Sequence, residues 1–143
     1  MKVAIGSDHG GYKLKEKIKN HLKLKGITVK DYGTFSEEPV DYPDIAKNVA
    51  KEVAAKRYIY GILVCGTGLG MSMVANKVKG IRAAVCHNMY TAEMARRHND
   101  ANMISLGGRV LKAGLAVKMV DVFIKTPFDG GRHLRRVGKI EGK

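Results

Sequence analysis

Apolar and polar positions change period repeatedly along the 143 residues. The runs "KVAIGS" (2–7), "YGILVC" (60–65) and "NMISLG" (102–107) are short and largely apolar, which predicts strands. "ITVKDYG" (27–33) alternates as a half-covered strand does, and "IRAAVC" (81–86) predicts a further strand. Between them lie helical patterns. Leu14, Ile18 and Leu22 form a stripe at i, i+4, i+8 within 12–25, and Ile45, Val49 and Val53 form another within 44–56. Further helices are expected near 71–78 and at 90–98 and 112–125. "FSEEPVDYP" (35–43) reads as a loop punctuated by two prolines, and the tail from 126 as a basic segment carrying glycines. Strands alternating with helices predict an α/β domain spanning 1–143. Its core is a parallel sheet of about five strands flanked by helices on both faces.

In such folds a ligand lies beyond the carboxyl ends of the strands. Polar residues fall at those ends: Ser7-Asp8-His9 after the first strand, Cys65 after the third, Cys86-His87-Asn88 after the fourth. The chemistry is therefore expected to converge on one edge of the sheet.

Composition narrows the class. Apolar residues make up 45% of the chain, enough for a core of its own. No apolar run approaches the ~20 residues of a membrane span, and Met1-Lys2 runs straight into the first strand with no secretory leader. Two cysteines without close spacing fit neither a disulfide framework nor a zinc site. No metal, no membrane and a cytoplasmic location are expected. The formal charge of +13 raises the question of nucleic acid. Much of the excess sits in "YKLKEKIKNHLKLKG" (12–26), where lysines cover the face opposite the apolar stripe. Aromatics are 6% of the chain and no RNA-recognition strand is present. A solvated helix face, with no nucleic-acid partner, is the expectation.

The stretch "VCGTGLGMS" (64–72) carries the most chemistry: Cys65 precedes Gly66, Gly68 and Gly70. A nucleotide P-loop would need a lysine and hydroxyl pair that is absent here. A dinucleotide fingerprint counted from Gly66 would need its sixth glycine where Met71 stands, and a cysteine phosphatase loop would need an arginine at that same position. What remains is a thiol at a strand end, followed by a turn with little side-chain cover and the start of a helix. Backbone N–H groups there can face inward, and the helix start favours a thiolate and a developing oxyanion. A base beside an oxyanion site is what proton abstraction next to a carbonyl requires. A buried, inert cysteine beside a tight turn fits the same residues.

Other candidates carry paired readings too. Asp8-His9, ahead of Gly10-Gly11, can orient a sugar hydroxyl or bind phosphate, or can simply cap the next helix. Cys86 has no glycine turn after it and reads as packing, and His21 as the buried edge of its helix. His98 lies on the stripe Tyr90, Met94, His98 and so fits a core-edge histidine, yet Asn99, Asp100 and Asn102 give it a polar surround. Arg132, Arg135 and Arg136 follow Gly130-Gly131, as a phosphate site or an exposed basic tail.

Several motifs occur together and in order: "GSDHGG" (6–11), "VDYPD" (40–44), "CGTGLGMS" (65–72), "ANKVKGIRAA" (75–84), "RRHNDANM" (96–103), "GGRV" (107–110) and "FDGGRHLRRV" (128–137). In these the chain resembles, over essentially its whole length, the type B ribose-5-phosphate isomerases of the ribose/galactose-6-phosphate isomerase (RpiB/LacAB) family. The resemblance implies a three-layer Rossmann-like fold and a cofactor-free aldose–ketose isomerisation of a sugar phosphate. The site would be shared between subunits of a homodimer or homotetramer. By position, Cys65 resembles the base that moves a proton between C2 and C1. Gly66, Gly68, Leu69 and Gly70 resemble the loop that holds the cis-enediolate, with Thr67 beside the thiol. His98 resembles the acid/base that opens the furanose. Asp8, His9, Asn99, Arg109, Arg132 and Arg136 resemble sugar and phosphate contacts, and Tyr42 a pocket wall. Ribose 5-phosphate is the expected substrate. Galactose 6-phosphate or allose 6-phosphate is the alternative within the class, and a non-catalytic sugar-phosphate sensor the alternative outside it.

Overall fold

The computed structural model describes residues Met1 to Lys143. Strands β1 (Lys2–Ser7), β2 (Thr28–Asp31), β3 (Tyr60–Cys65), β4 (Ala83–Val85) and β5 (Met103–Gly107) form one parallel sheet in the order β2-β1-β3-β5-β4. Six helices accompany them: α1 (Tyr12–Leu24), α2 (Tyr42–Ala54), α3 (Leu69–Ala75), α4 (Met89–Arg97), α5 (Ala113–Lys125) and α6 (Arg132–Ile140). This is the expected three-layer Rossmann-like arrangement. No helix is long and apolar enough to cross a membrane.

Strand alternation divides the core into two layers. Val3, Ile5, Ile62, Val64 and Ile104 point toward α1, α4 and α5, where Leu14, Ile18, Leu22 and Phe123 meet them. Ala4, Leu63 and Cys65 point toward α2 and α3, against Val49, Val53, Met71 and Ala75. Each fully buried Leu, Ile or Phe side chain contributes ~1.5–3 kcal/mol, so the inner strands β1, β3 and β5 anchor the fold. The period-2 rule also fixes where the thiol goes. Cys65 closes β3 on the α2/α3 side, facing the start of α2 rather than α1.

Three expectations shift. Helix α2 begins at Tyr42, two residues early, because Pro43 occupies its first turn, where no N–H is needed. Helix α3 begins inside the glycine run and stops at Ala75. Asn76 then bonds the backbone of Ala83 in both directions, at 2.9 and 2.8 Å, which draws the chain into β4. The basic tail holds the short helix that the four-residue spacing of Arg132 and Arg136 allowed: α6 buries Val137 and leaves its arginines outward. On α4 the buried face is Ala92, Ala95 and Arg96, not the stripe through His98. The alanines let the helix sit close to the sheet, while the Arg96 guanidinium lies 4.9 Å over Tyr60 and donates to the Ala101 and Thr126 carbonyls.

The lysines of α1 do not all cover its solvent face. Lys15 is 0% exposed, between the rings of Tyr12 and Phe35. Its ammonium donates to both Asp31 oxygens at 2.9 Å and to the Thr34 carbonyl. The charge can be buried because three acceptors replace its water. The bonds tie α1 to the end of β2 and to the loop that leads to α2.

Candidate active site

Three loops at the carboxyl edge are laced together. The Gly108 N–H donates to the Cys65 carbonyl at 2.7 Å and the Arg109 N–H to the Gly66 carbonyl at 3.0 Å, joining the ends of β3 and β5. The Asp8 N–H donates to Val64 O at 3.2 Å, joining β1 to β3. Between these ends and α2 lies a cavity of about 290 Å3, lined by Asp8, Tyr42, Cys65, Gly66, Thr67, Gly70 and Arg109. Larger clefts, one of about 560 Å3 between 76–84 and α6, lie toward the other edge and hold neither cysteine.

Cys65 is buried, and its Sγ accepts a hydrogen bond from the Gly68 N–H at 3.1 Å. That geometry needs the turn to fold back on itself. Gly68 supplies this with φ of +81°, and a Cβ there would stand 3.0 Å from the Leu106 backbone. Ser105 Oγ donates to the Gly68 carbonyl at 2.6 Å and locks the turn from below. Negative charge on the sulfur is thus met by a backbone donor already in place. Thr67 Oγ1 accepts from the Leu69 N–H at 3.2 Å, so its own proton is free to face the cavity.

The other loops add polar groups. Asp8 Oδ1 accepts from the Gly11 N–H at 3.1 Å, so it does cap the short turn His9–Gly11, and its second oxygen remains for a ligand. His9 Nδ1 accepts from the Val40 N–H at 3.2 Å, which places the ring proton on Nε2 in the neutral tautomer. The Arg109 guanidinium lies across Gly10 and Gly66, where an added Cβ would come within 3.3 and 3.1 Å of it. The Tyr42 ring stands closer still to Gly70, 2.6 Å from an added Cβ. Glycines at these places let a cation and an aromatic wall close over the thiol. Cys86 is buried apart from this site, and burial pushes its thiol up to about 11, so it stays protonated and apolar in behaviour.

The expected convergence on one edge brings Asp8 and Cys65 together, while Cys86 is buried apart and Asn88 caps α4. His98, Asn99, Arg132 and Arg136 do not reach Cys65 within this chain. Helix α4 leaves the carboxyl edge after β4 and returns to the amino edge before β5, so His98 at its end lies beyond Met103. Met103 pairs with Gly61 and Gly107 with Cys65, so the two ends are four residue steps, or ~13 Å, apart along the strands.

At that far edge a second cluster forms. The His98 and His133 rings stack at 4.2 Å with planes 10° apart. Asp129 offers a carboxylate oxygen within 4.8 Å of both imidazoles. It also accepts from Arg97 Nε at 3.1 and 3.2 Å, which holds its carboxyl below the ordinary range. A metal fits this group poorly: nearly parallel rings aim their lone pairs side by side rather than at one point, Arg97 takes both carboxylate oxygens, and Arg132 and Arg136 add cations. The charge balance suits an anion. His133, Asp129 and Arg97 were not singled out from the sequence. His133 and Asp129 lie four apart inside the "FDGGRH" motif, but their partner Arg97 is 32 residues away.

Comparison with known proteins places the chain among sugar-phosphate isomerases. The family model described as Ribose/Galactose Isomerase matches residues 3–140. The ribose-5-P isomerase B of Listeria innocua is 47% identical over 141 residues, 99% of this chain and 95% of that protein. The solved ribose-5-phosphate isomerase B of Clostridium thermocellum superimposes with a TM-score of 0.98 at 55% identity, covering 99% of this chain and 96% of that one. That of Mycoplasma genitalium, solved with ribulose-5-phosphate bound, gives a TM-score of 0.95 at 44% identity over 99% and 94%. The chain belongs to the ribose/galactose isomerase family.

Proposed function

We propose that the protein interconverts ribose 5-phosphate and ribulose 5-phosphate by proton transfer through a cis-enediolate. The observation that carries this is a thiol sulfur held at 3.1 Å by a backbone N–H, in a cavity walled by Asp8, Tyr42 and Arg109. Cys65, as thiolate, takes the C2 proton of the open aldose. The C1 carbonyl oxygen gains negative charge and the enediolate forms. The turn Gly66–Gly70 and the Thr67 hydroxyl stabilise it, the O2 hydroxyl proton passes to O1, and Cys65 returns its proton to C1 on the same face as C2 becomes the carbonyl. One base serving two neighbouring carbons requires the two oxygens to lie on the same side, which the single small cavity favours.

The aldose exists mainly as a furanose, so a proton must move between ring oxygen and C1 hydroxyl first. We assign this to His98, with Asn99, Arg132 and Arg136 contacting sugar and phosphate. Their place at the far edge makes a second copy of the chain the source of these groups. Leu69 and Met73, on the outer side of α3 beside the thiol, are 51% and 64% exposed and give that copy an apolar surface to cover. A cytoplasmic homodimer or pair of dimers with shared sites is the resulting reading, and the two free cysteines suit that reducing compartment.

The test is a coupled isomerase assay with ribose 5-phosphate, allose 6-phosphate and galactose 6-phosphate. Turnover of the pentose phosphate is expected to have the highest kcat/KM. Turnover confined to the hexose phosphates would overturn the substrate, and none with any of them the reaction. Mixing inactive Cys65→Ala with inactive His98→Asn chains should restore activity at one site in a shared arrangement. Failure to complement after subunit exchange would overturn the sharing.

A further inference from the structure

The far cluster contains more than the proposed function uses. His98 is the C-cap of α4, its N–H donating to the Met94 carbonyl at 2.9 Å, and its ring packs flat on His133 from α6. Helix α6 is held by its ends. At one, Arg82 bonds Glu141 at 2.7 Å and the Asp100 carbonyl at 2.7 Å. At the other, the Asp129 N–H donates to the Arg97 carbonyl at 3.0 Å and the carboxylate takes both contacts from Arg97 Nε.

The Asp129 carboxylate is not needed for the backbone. Gly131, not Asp129, caps α6, and the Asp129 N–H bond alone would fasten the loop. The carboxylate is nonetheless placed within reach of both imidazoles. Around it stand Arg97, His98 and His133, with Arg132 and Arg136 of α6 acting on His133 and Glu93 engaging Arg97 from outside. Asp129 is therefore the anion among five groups that are or become cationic. Two stacked imidazoles cannot readily both be protonated, so an anion beside them decides whether the stack holds one proton to exchange or none. In agreement, His133 is held below its ordinary value by partial desolvation and by His98, Arg132 and Arg136, with Asp129 pulling it up.

We infer that Asp129, fixed by Arg97, is a positioning residue for ring opening, holding a negative charge within 4.8 Å of the His98–His133 stack and so keeping one proton available in it. The inference rests on the role proposed above for His98. It makes Asp129, Arg97 and His133 parts of the acid/base machinery, distinct from Arg132 and Arg136, which meet the phosphate.

The experiment compares Asp129→Asn with the parent on two aldoses. Ribose 5-phosphate must be opened. Erythrose 4-phosphate has the same aldehyde and C2 hydroxyl, but its O4 carries the phosphate, so no furanose forms. Asp129→Asn should lower kcat/KM for ribose 5-phosphate at least about tenfold and for erythrose 4-phosphate less than about threefold. The acid limb of the ribose 5-phosphate rate profile should move to lower pH, since losing the nearby carboxylate disfavours the protonated stack. A second readout uses ribulose 5-phosphate in D2O, where exchange of the C1 proton needs no ring. The ratio of exchange to ribose 5-phosphate formation should rise in the variant. Should Asp129→Asn not fold, Arg97→Lys is expected to show the same pattern more weakly. Equal losses on both aldoses with an unmoved acid limb, or no loss, would overturn the inference while an active parent leaves the isomerase reading standing. A parent inactive on ribose 5-phosphate would overturn both.

Discussion

Replacing Gly70 by alanine separates the site from the fold. Gly70 lies in the first turn of α3, and its backbone is compatible with any residue. Alanine is favoured over glycine in a helix by ~1 kcal/mol, so the change taken alone stabilises α3. Against this, the new Cβ would stand 2.6 Å from Tyr42 Cε1, where ordinary contact begins at 3.4 Å. The ring must therefore retreat by 3.4 − 2.6 = 0.8 Å. It can do so cheaply, because the atoms in conflict are the far end of a side chain that is 38% exposed. The stability terms nearly cancel, and the net change should lie within ~1 kcal/mol, or about 3–4 °C in Tm. Activity should not be spared. Tyr42 walls the cavity over Cys65, and a misplacement of about 1 Å in a positioning group costs up to ~10²-fold. Thermal unfolding by circular dichroism and kcat/KM with ribose 5-phosphate, measured on one preparation, test both halves. A Tm drop beyond about 8 °C would show that the Tyr42–Gly70 contact is structural packing. Unchanged kcat/KM would remove Tyr42 from the site.

Cys65→Ala should reduce turnover by at least ~10²-fold while Cys86→Ala retains most of it, read by steady-state assay; the reverse pattern would exchange the two thiols' roles. Cys86, pushed up to about 11 by burial against a smaller lowering from its hydrogen bond to Thr91, should resist iodoacetamide at neutral pH in peptide mapping of the folded protein. Lys15→Met leaves Asp31 with Lys19 as its cationic partner at 2.8 Å but strands the Thr34 carbonyl, and should destabilise the fold by ~1–3 kcal/mol, read from urea unfolding; a change below about 0.5 kcal/mol would mean the buried lysine is dispensable. Burial alone would raise Asp31, but bonds from Lys19, Lys15 and the Gly33 N–H outweigh it and hold its carboxyl below the ordinary value. Its contribution to stability is therefore full above about pH 4 and lost as pH falls through the depressed folded value. Asp31→Asn should flatten that acid dependence in urea titrations between pH 5 and 2.

Local pattern and tertiary arrangement divided the information unevenly. The three inner strands were legible because an inner parallel strand is buried on both faces, so nearly every residue of "KVAIGS" or "YGILVC" must be apolar or small. Period-2 alternation then carried Cys65 to a strand end on a known side, and the glycines after it marked a turn with few side chains of its own. Those are consequences of neighbours in the chain, and a single sequence reveals them. The burial of Lys15 was not legible, because it depends on Asp31 and Thr34 arriving from another part of the chain. The inward face of α4 was misread for a related reason: small alanines and a stacked Arg96 can bury a face that lacks large apolar residues.

The site divides along the same line. The sequence by itself determined which residue types stand at the strand ends, and therefore that a thiol, an acid, an imidazole and an arginine are available to one cavity. Only the tertiary structure decided that Asp8, Tyr42, Cys65 and Arg109 meet there, while His98 is carried to the opposite edge and paired with His133 and Asp129. The physical reason is the right-handed crossover: each helix returns the chain to the amino edge. The start and the end of one helix, such as the nine-residue α4, thus lie at opposite edges of the sheet.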